Sequence, residues 1–214
     1  MKRSRPKRLT LVGGWPGSGK SFLTNDYCNR VGGAVVHLDK DVCTSAFAES
    51  ILVQNELAPT DRESHYYLSR VRPLEYQQLG EMASSLLSTG LHVIVTAPFF
   101  IEFANPKGTF IEALPADAMI ERLWVHADPD VRRKRLINRN AGRDAWKLAN
   151  WDAYLQESPS QPPPDSIDYC INNSAESQQS LKDFTCYLET RWGHPAITRS
   201  DLENIYFRQT KTDN

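Results

Sequence analysis

Eight residues near the amino terminus have the types and spacing of a phosphate-binding loop. They fit the pattern G-x-x-x-x-G-K-[ST] and read Gly14-Trp15-Pro16-Gly17-Ser18-Gly19-Lys20-Ser21. The glycines let backbone N–H groups curl around phosphate oxygens, and a following helix would add the dipole of its amino terminus. Lys20 should reach the β- and γ-phosphates, and the Ser21 hydroxyl should ligate Mg²⁺. We expect a nucleotide to be bound by Gly14, Gly17, Ser18, Gly19, Lys20, Ser21 and Phe22.

Two carboxylates and a set of arginines also suit phosphoryl chemistry. Asp39 and Asp41 follow a short apolar run, Ala34–Leu38, and residues 132–147 contain seven cations and one acid. A transferring phosphoryl group spreads negative charge over three oxygens, which the planar fork of arginine fits better than lysine does. A solvated basic helix face is the alternative interpretation of this arginine-rich segment.

Other features narrow the class of phosphate-loop protein. The guanine-reading N-K-x-D of a switch GTPase is absent from the sequence, and the nearest segment is 171–174. Motor ATPases need longer chains with many elements after the core. A length of 214 residues, with two aspartates early and an arginine-rich helix late, favours a kinase.

The elements that must position these residues alternate along the chain. Apolar runs predict strands at Arg8–Val12, Ala34–Leu38, His92–Thr96, Met119–Val125 and Tyr169–Ile171. Helical patterns span Lys20–Arg30, Val42–Leu57, Leu74–Ser88, Asp130–Asn138, Asp144–Leu155 and Ser177–Arg191. This alternation predicts an α/β fold with a mostly parallel sheet of about five strands.

Composition and charge exclude several other classes. Hydrophobic residues make up 40% and charged residues 24%, which is typical of a globular protein rather than a disordered chain or a disulfide scaffold. No stretch is apolar enough for a membrane helix, and four widely spaced cysteines suggest neither zinc nor a redox pair. With no signal-peptide pattern at the amino terminus, we expect a cytoplasmic protein without a membrane partner.

The net charge of −1 hides a second basic patch besides the arginine-rich segment. Residues 1–8 contain five cations and no acid. This arm is either a solubilising tail or a contact for nucleic-acid phosphates.

The phosphate loop, Leu38-Asp39-Lys40-Asp41 and the arginine-rich segment together resemble the small P-loop kinases over roughly residues 8–190. That group includes shikimate, gluconate and adenylyl-sulfate kinases, chloramphenicol phosphotransferase, zeta-toxin-type kinases and polynucleotide kinase, among AAA_33-like ATP-binding proteins. The resemblance implies a P-loop NTPase three-layer sandwich with a helical lid, and ATP and Mg²⁺ as cofactors. It divides the chain into a kinase domain at 1–192, with the lid at about 132–155 and a proline-rich connector at 158–165, and a tail at 193–214.

The resemblance also implies roles for individual residues. Asp39 would bind Mg²⁺ through water, and Asp41 would orient the acceptor hydroxyl and act as its base, unless Asp41 merely caps the next helix. Arg135, Arg139 and Arg143 would close over the phosphates as lid arginines, whereas Arg132 would be a solvated or positioning residue. Thr96 stands where related kinases commonly place an acid that holds magnesium, so Asp39 would carry more of that role.

Three functions remain open from the sequence. The first is a kinase that transfers the γ-phosphate to a hydroxyl of a small molecule. The second is a kinase of nucleic acid, acting on a 5′-hydroxyl or a hydroxymethylated base, and the third is a regulatory ATPase that binds nucleotide. On the acceptor side, Arg70 and Arg72 would clamp the acceptor or form surface ion pairs, and Phe99 and Phe100 would wall its pocket. The segment 172–174 is a candidate for the adenine site.

Overall fold

A computed structural model describes residues 6–32, 35–104, 108–157, 166–175 and 178–193. Within these ranges the strands are β1 (Arg8–Gly13), β2 (Val35–Asp39), β3 (His92–Thr96), β4 (Met119–His126) and β5 (Tyr169–Asn172). They form one parallel sheet in the order β2-β3-β1-β4-β5. The predicted sheet of five strands is therefore confirmed.

Nine helices connect or follow these strands in the described part of the chain. They are α1 (Lys20–Val31), α2 (Lys40–Gln54), α3 (Arg72–Ser88), α4 (Phe100–Ala104), α5 (Thr109–Glu112), α6 (Pro129–Arg139), α7 (Ala145–Ala149), α8 (Trp151–Glu157) and α9 (Gln178–Trp192). A π-helical turn, Tyr67–Val71, leads directly into α3, and a 3₁₀ turn, Gly142–Asp144, precedes α7. No described helix is both long and apolar enough to cross a membrane.

The sheet lies between two layers of helices, as the predicted three-layer sandwich requires. On one face, α3 packs Leu79, Ala83 and Leu87 against residues of β1 and β3. On the other face, α1 and α9 pack against β1, β3, β4 and β5. Because both faces are covered, the strands are nearly continuous apolar runs, which is the pattern that identified them in the sequence.

The strand register brings the polar carboxyl ends together. Thr96, the last residue of β3, is opposite both Val12 of β1 and Asp39 of β2. The phosphate loop follows β1 directly, so Asp39 and Thr96 end beside it. Ligands of open parallel sheets bind outside the carboxyl ends of the strands, and the chain places its candidate residues there.

Three details differ from the expected elements. Helix α2 begins at Lys40 rather than Val42, because the Asp39 side chain accepts a hydrogen bond from the Asp41 backbone N–H at 2.9 Å and caps the helix. The helix expected over 144–155 is interrupted at Asn150, so α7 and α8 are separate. Helices α4 and α5 are too short to show a helical period. The predicted connector at 158–165 and nearly all of the predicted tail lie outside the described residues.

Candidate active site

The phosphate loop connects β1 to α1 in a conformation that needs its glycines. Gly17 has φ 80°, and a Cβ at this position would lie 2.8 Å from the carbonyl oxygen of Arg132. Gly19, with φ 96°, precedes α1 and contributes no side-chain cap to it. The first N–H groups of α1 therefore keep their capacity to bind an anion.

The side chain of Lys20 folds back into the phosphate loop. Its Nζ donates hydrogen bonds to the carbonyl oxygens of Gly14 at 2.7 Å and Trp15 at 3.3 Å. Burial lowers the pKa of Lys20 to about 8, against the opposing attraction of Asp41 and Asp39. An anionic phosphate in the loop would restore the ammonium form, so the site is electrostatically suited to the predicted ligand.

Ser21 and Asp39, the predicted magnesium ligands, are brought together by the fold. Ser21 Oγ donates to Asp39 Oδ2 at 2.5 Å, and Thr96 Oγ1 donates to the same carboxylate oxygen at 3.2 Å. The described residues contain no group of three or more His, Cys, Asp or Glu that could hold a metal ion. A hydroxyl and one carboxylate nevertheless fit Mg²⁺ when nucleotide phosphates and water complete its octahedron.

His37, which contacts Asp39 through Thr96, was not among the residues predicted from the sequence. His37 Nε2 lies 2.9 Å from Thr96 Oγ1, and its Nδ1 lies 2.8 Å from Asn25 Oδ1 on α1. Burial lowers the pKa of His37, with Asp39 opposing that shift. His37 precedes Asp39 by two residues on β2, so strand alternation places both on one face, and this was the signal available in the sequence.

Asp41 lies in the first turn of α2, between two cations. Arg143 is 3.0 Å from Asp41 Oδ2, and Lys40 Nζ is 3.5 Å from Oδ1. Burial raises the pKa of Asp41, but the attraction of Lys40, Arg143 and Lys20 outweighs it and lowers the pKa below its usual value. The alternative that one of the two aspartates caps the next helix is confirmed, but the cap is Asp39 and not Asp41.

A buried polar cluster holds Lys40, which contacts Asp41, and this cluster was not predicted from the sequence. Glu75 is fully buried and accepts hydrogen bonds from Lys40 Nζ at 2.9 Å, Thr44 Oγ1 at 2.7 Å and Tyr67 OH at 2.6 Å. Lys40 is itself 5% exposed and bridges Glu75 to Asp41. The π-helical turn presents Tyr67 to Glu75 on the following helix. We name Lys40, Thr44, Tyr67 and Glu75 the Glu75 cluster.

Four of the five arginines in the predicted lid have different surroundings. Arg135 donates to the carbonyl oxygens of Gly17, Ser18 and Asn173 and so ties α6 to the phosphate loop. Arg139 donates through two nitrogens to the buried carboxylate of Asp144. Arg143 contacts Asp41, as described above.

Arg132 is 1% exposed, so the expectation that it is solvated is wrong. Its guanidinium carbon lies 5.9 Å from the ring centres of both Trp151 and Tyr154. A cation can be buried at such a place because aromatic faces attract it. Helical spacing places Arg132, Arg135 and Arg139 on one face of α6, but it does not show what packs against that face.

The candidate adenine segment lies next to the loop. Asn173 is 2% exposed, and its Nδ2 donates to the carbonyl oxygen of Ser18 at 2.8 Å. This bond joins the end of β5 to the phosphate loop. Phe22, by contrast, is 59% exposed at the start of α1, so only its backbone is placed near bound phosphate.

A cleft of about 380 Å³ joins these groups. Lys20, Ser21, Asp39, Asp41, Arg139 and Arg143 all line it. Of the predicted acceptor residues, Arg72 and Phe100 also line it, Arg70 is exposed, and Phe99 is buried in the core. The predicted catalytic and magnesium-binding residues thus line one cleft, except Arg135, whose hydrogen bonds go to Gly17, Ser18 and Asn173. Of the predicted nucleotide-binding residues, Lys20 and Ser21 line it.

Comparison with known proteins assigns the chain to a family. A family model described as an AAA domain, AAA_33, matches residues 9–159. The chain belongs to this family. The predicted resemblance to P-loop kinases is confirmed, and the chain is a member of a kinase-like P-loop family.

Two solved structures share the fold at low sequence identity. A sugar kinase from Janibacter sp. HTCC2649 is 16% identical, with a TM-score of 0.60 over 90% of this chain and 99% of that one. A gluconokinase from Sinorhizobium meliloti 1021 is 14% identical, with a TM-score of 0.54 over 95% and 98%. At these identities the likeness is one of fold. No curated protein sequence matches the chain.

Proposed function

We propose that the protein is an ATP- and Mg²⁺-dependent phosphotransferase that moves the γ-phosphate of ATP to a hydroxyl of a small molecule. The observation that carries this proposal is the shared cleft. The same cleft contains the nucleotide-binding residues Lys20 and Ser21 and, beyond them, a carboxylate, Asp41, that the nucleotide does not require.

The nucleotide-binding side of the cleft is formed by the phosphate loop and by two residues, Ser21 and Asp39, whose oxygen atoms would serve the magnesium ion. Backbone N–H groups of the loop and Lys20 bind the phosphates, while Ser21 and Asp39 hold the magnesium ion. When bound, the ion neutralises charge on the β- and γ-phosphates. Thr96 and His37 keep the Asp39 carboxylate oriented toward Ser21 through the contacts of Thr96 Oγ1.

Asp41 acts on the acceptor. Its lowered pKa keeps it ionised, so it accepts a hydrogen bond from the acceptor hydroxyl and aligns that oxygen with the γ-phosphorus. The new oxygen–phosphorus bond forms as the bond from the γ-phosphorus to its bridging oxygen breaks. Because the transition state is loose, the proton passes to Asp41 late, after most of the bond breaking.

The cations around Asp41 stabilise the transferred group. Arg139 and Arg143 line the cleft and carry flexible side chains that are about one-third exposed, 38% and 31% respectively. Arg143 exchanges its contact with Asp41 for one with the phosphoryl oxygens as the acceptor enters. Arg135 holds the loop in shape, because its bonds go to loop carbonyl oxygens.

A regulatory nucleotide-binding protein is the second candidate. The hydroxyl of Thr96, in place of a carboxylate at the end of β3, favours it, because a hydroxyl holds magnesium more weakly than a charged ligand. Such a protein would bind ATP without transferring phosphate to any acceptor.

Phosphate transfer from γ-labelled ATP to a metabolite pool, and separately to DNA and RNA, tests the proposal. Asp41→Asn should lower the transfer rate by about 10²–10⁴-fold, the usual contribution of a general base. Its affinity for ATP should stay within about threefold, because Asp41 forms its ion pairs with Lys40 and Arg143 and acts on Lys20 only at longer range. Asp152→Asn, at an exposed position on α8, is the matched control and should transfer normally.

The outcomes separate the candidates. If Asp41→Asn transfers within about threefold of the parent, Asp41 is not the base. If the parent binds ATP but labels no acceptor in any pool, the regulatory function replaces the proposed one.

A further inference from the structure

We propose that the acceptor is an uncharged alcohol that carries an aromatic ring, which packs against a wall formed by the stacked rings of Trp15 and Phe100. This inference rests on the proposed function and names the chemical class of its acceptor. It depends on the apolar side of the cleft and on the pairing of the cations around it.

The aromatic wall is already assembled. Trp15 and Phe100 both line the cleft, and their rings are stacked with centroids 4.8 Å apart and an interplanar angle of 29°. The fully buried Trp124 lies edge-on to both, at 6.0 Å from Trp15 and 6.3 Å from Phe100. A wall fixed from behind loses little conformational freedom when a ring binds to it.

A strained turn aims this wall at the cleft. Phe99 has φ 53°, a left-handed conformation that is unusual for a residue with a side chain. Its ring is fully buried and packs on Tyr76, Phe103 and Phe110. The turn thereby sends Phe99 into the core and leaves the next two residues, Phe100 and Ile101, on the cleft. Backbone strain of this kind is concentrated at ligand sites.

The mouth of the cleft is also apolar. Leu68 from the π-helical turn and Ile101 from α4 line the cleft, and they are 49% and 57% exposed. An acceptor with an apolar ring would cover these two side chains when it binds.

The charges of the acceptor side are already paired within the protein. Of the cations that line the cleft, Arg72 pairs with Glu102 at 2.9 Å, Lys147 with Glu63, and Arg62 with Glu49 at 3.8 Å. Lys40, Arg139 and Arg143 pair with Glu75, Asp144 and Asp41. Lys20 is directed to the loop carbonyl oxygens instead, where the ATP phosphates would bind.

This pairing disfavours an anionic acceptor. A polyanion such as nucleic acid would have to break ion pairs such as Arg72–Glu102, which are largely desolvated and costly to open. An uncharged ligand leaves Arg72–Glu102 and Lys147–Glu63 intact, and the pair that opens is Arg143–Asp41, at the transferred phosphoryl group. The cleft volume of about 380 Å³ falls within the range of sites for small organic ligands.

A panel of acceptors with matched shapes tests the inference. Phosphate transfer from γ-labelled ATP is measured to 2-phenylethanol, to 2-cyclohexylethanol of similar size, to gluconate as an anion, and to an oligonucleotide with a free 5′-hydroxyl. We expect kcat/KM for the phenyl alcohol to exceed that for the cyclohexyl alcohol by about five- to tenfold, which is the worth of a stacked pair. Transfer to gluconate and to the oligonucleotide should be lower still.

Substitutions of Phe100 test the inference in a second way that does not depend on comparing different acceptors. Phe100→Leu keeps an apolar side chain and should raise KM for 2-phenylethanol by about fivefold, with kcat and the KM for ATP unchanged within twofold. Phe100→Tyr retains the ring and should restore the parental KM. Trp146→Leu is the control, because Trp146 is exposed on α7 and does not line the cleft. Calorimetric titration of 2-phenylethanol into protein with a non-hydrolysable ATP analogue should show the same order of affinities.

The outcomes distinguish this inference from the proposed function. Preferential transfer to gluconate or to the oligonucleotide, or equal use of the two neutral alcohols, overturns the aromatic acceptor and leaves a phosphotransferase. ATP binding without transfer to any acceptor overturns the proposed function itself.

Discussion

The two ends of the sheet both bury polar side chains, but these are charged at the carboxyl end and neutral at the amino end. At the carboxyl end, Asp39, Lys20 and the Glu75 cluster carry charges whose partners come from different helices. At the amino end, His92 Nε2 lies 2.9 Å from Thr10 Oγ1, which also accepts a hydrogen bond from Trp192 Nε1 at 3.0 Å. We name these last three residues the Thr10 cluster, and its side chains are neutral.

The difference shows what separates a site from a structural polar cluster. In the Thr10 cluster, burial lowers the pKa of His92 to about 3, with Arg8 adding to the shift, so the imidazole stays uncharged. Its hydrogen bonds join side chains of β1, β3 and α9 to one another. At the carboxyl end the ion pairs adjoin an open cleft, and in the proposed function Arg143 leaves Asp41 when a phosphoryl group arrives. The Thr10 cluster therefore stabilises the fold, whereas the ion pairs at the carboxyl end belong to the proposed site.

The largest test of this comparison is Glu75→Gln. The change leaves Lys40 buried without its carboxylate, which should lower the free energy of unfolding by about 3 kcal/mol or more. Lys40 should then bind Asp41 more closely and reduce the transfer rate as well. Urea unfolding and labelled-phosphate transfer measure the two effects. Glu81→Gln, at an exposed position on the same helix, is the control, and an equal loss there would contradict the role of the cluster.

The second test concerns the loss of folding stability at low pH that His92, at the amino end of the sheet, should cause. The pKa of His92 is about 3 in the folded protein, against an ordinary value of 6.5, so acid protonates the unfolded chain first. The stability due to neutral His92 is complete above about pH 6.5. It is lost as pH falls toward 3, at up to about 1.4 kcal/mol per pH unit.

His92→Gln, which does not titrate, should therefore flatten the loss of stability between about pH 6.5 and 4. Urea unfolding at a series of pH values measures this slope. The pH dependence of phosphate transfer at temperatures well below unfolding should not change. An unchanged stability slope would show that another group causes the acid sensitivity.

The smallest test compares two threonines. Thr96→Val removes a hydrogen bond to Asp39, worth about 1 kcal/mol, and should raise the Mg²⁺ concentration for half-maximal transfer by roughly fivefold. Thr10→Val removes a hydroxyl of the same kind from the amino end and should lower stability without changing the Mg²⁺ dependence. Magnesium titrations of the two variants and the parent decide this. If both variants shift alike, the two ends do not differ as described.

The sequence predicted those parts of the site that depend on local order along the chain. Asp39 ends β2, and the phosphate loop that contains Ser21 follows β1. Parallel strands end at the same edge of the sheet, so the meeting of these two residues could be expected. The burial of Arg132 could not, because its partners Trp151 and Tyr154 lie on a helix whose packing depends on the break at Asn150. The Glu75 cluster was missed for a similar reason, since Lys40 and Glu75 are far apart in sequence and each is ordinary in its own context.

The π-helical turn at Tyr67–Val71 ties the site to one helix type. A π turn contains about one residue more than an α turn, so it takes up an extra residue without rotating the chain before it. If the same residues formed a regular α-helix, everything before the turn would rotate by roughly 100° relative to α3. Tyr67 would then leave Glu75, and Leu68 would leave the mouth of the cleft. Homologous chains in which this segment is a regular α-helix of the same length should therefore differ in the acceptor they use while keeping the same nucleotide site.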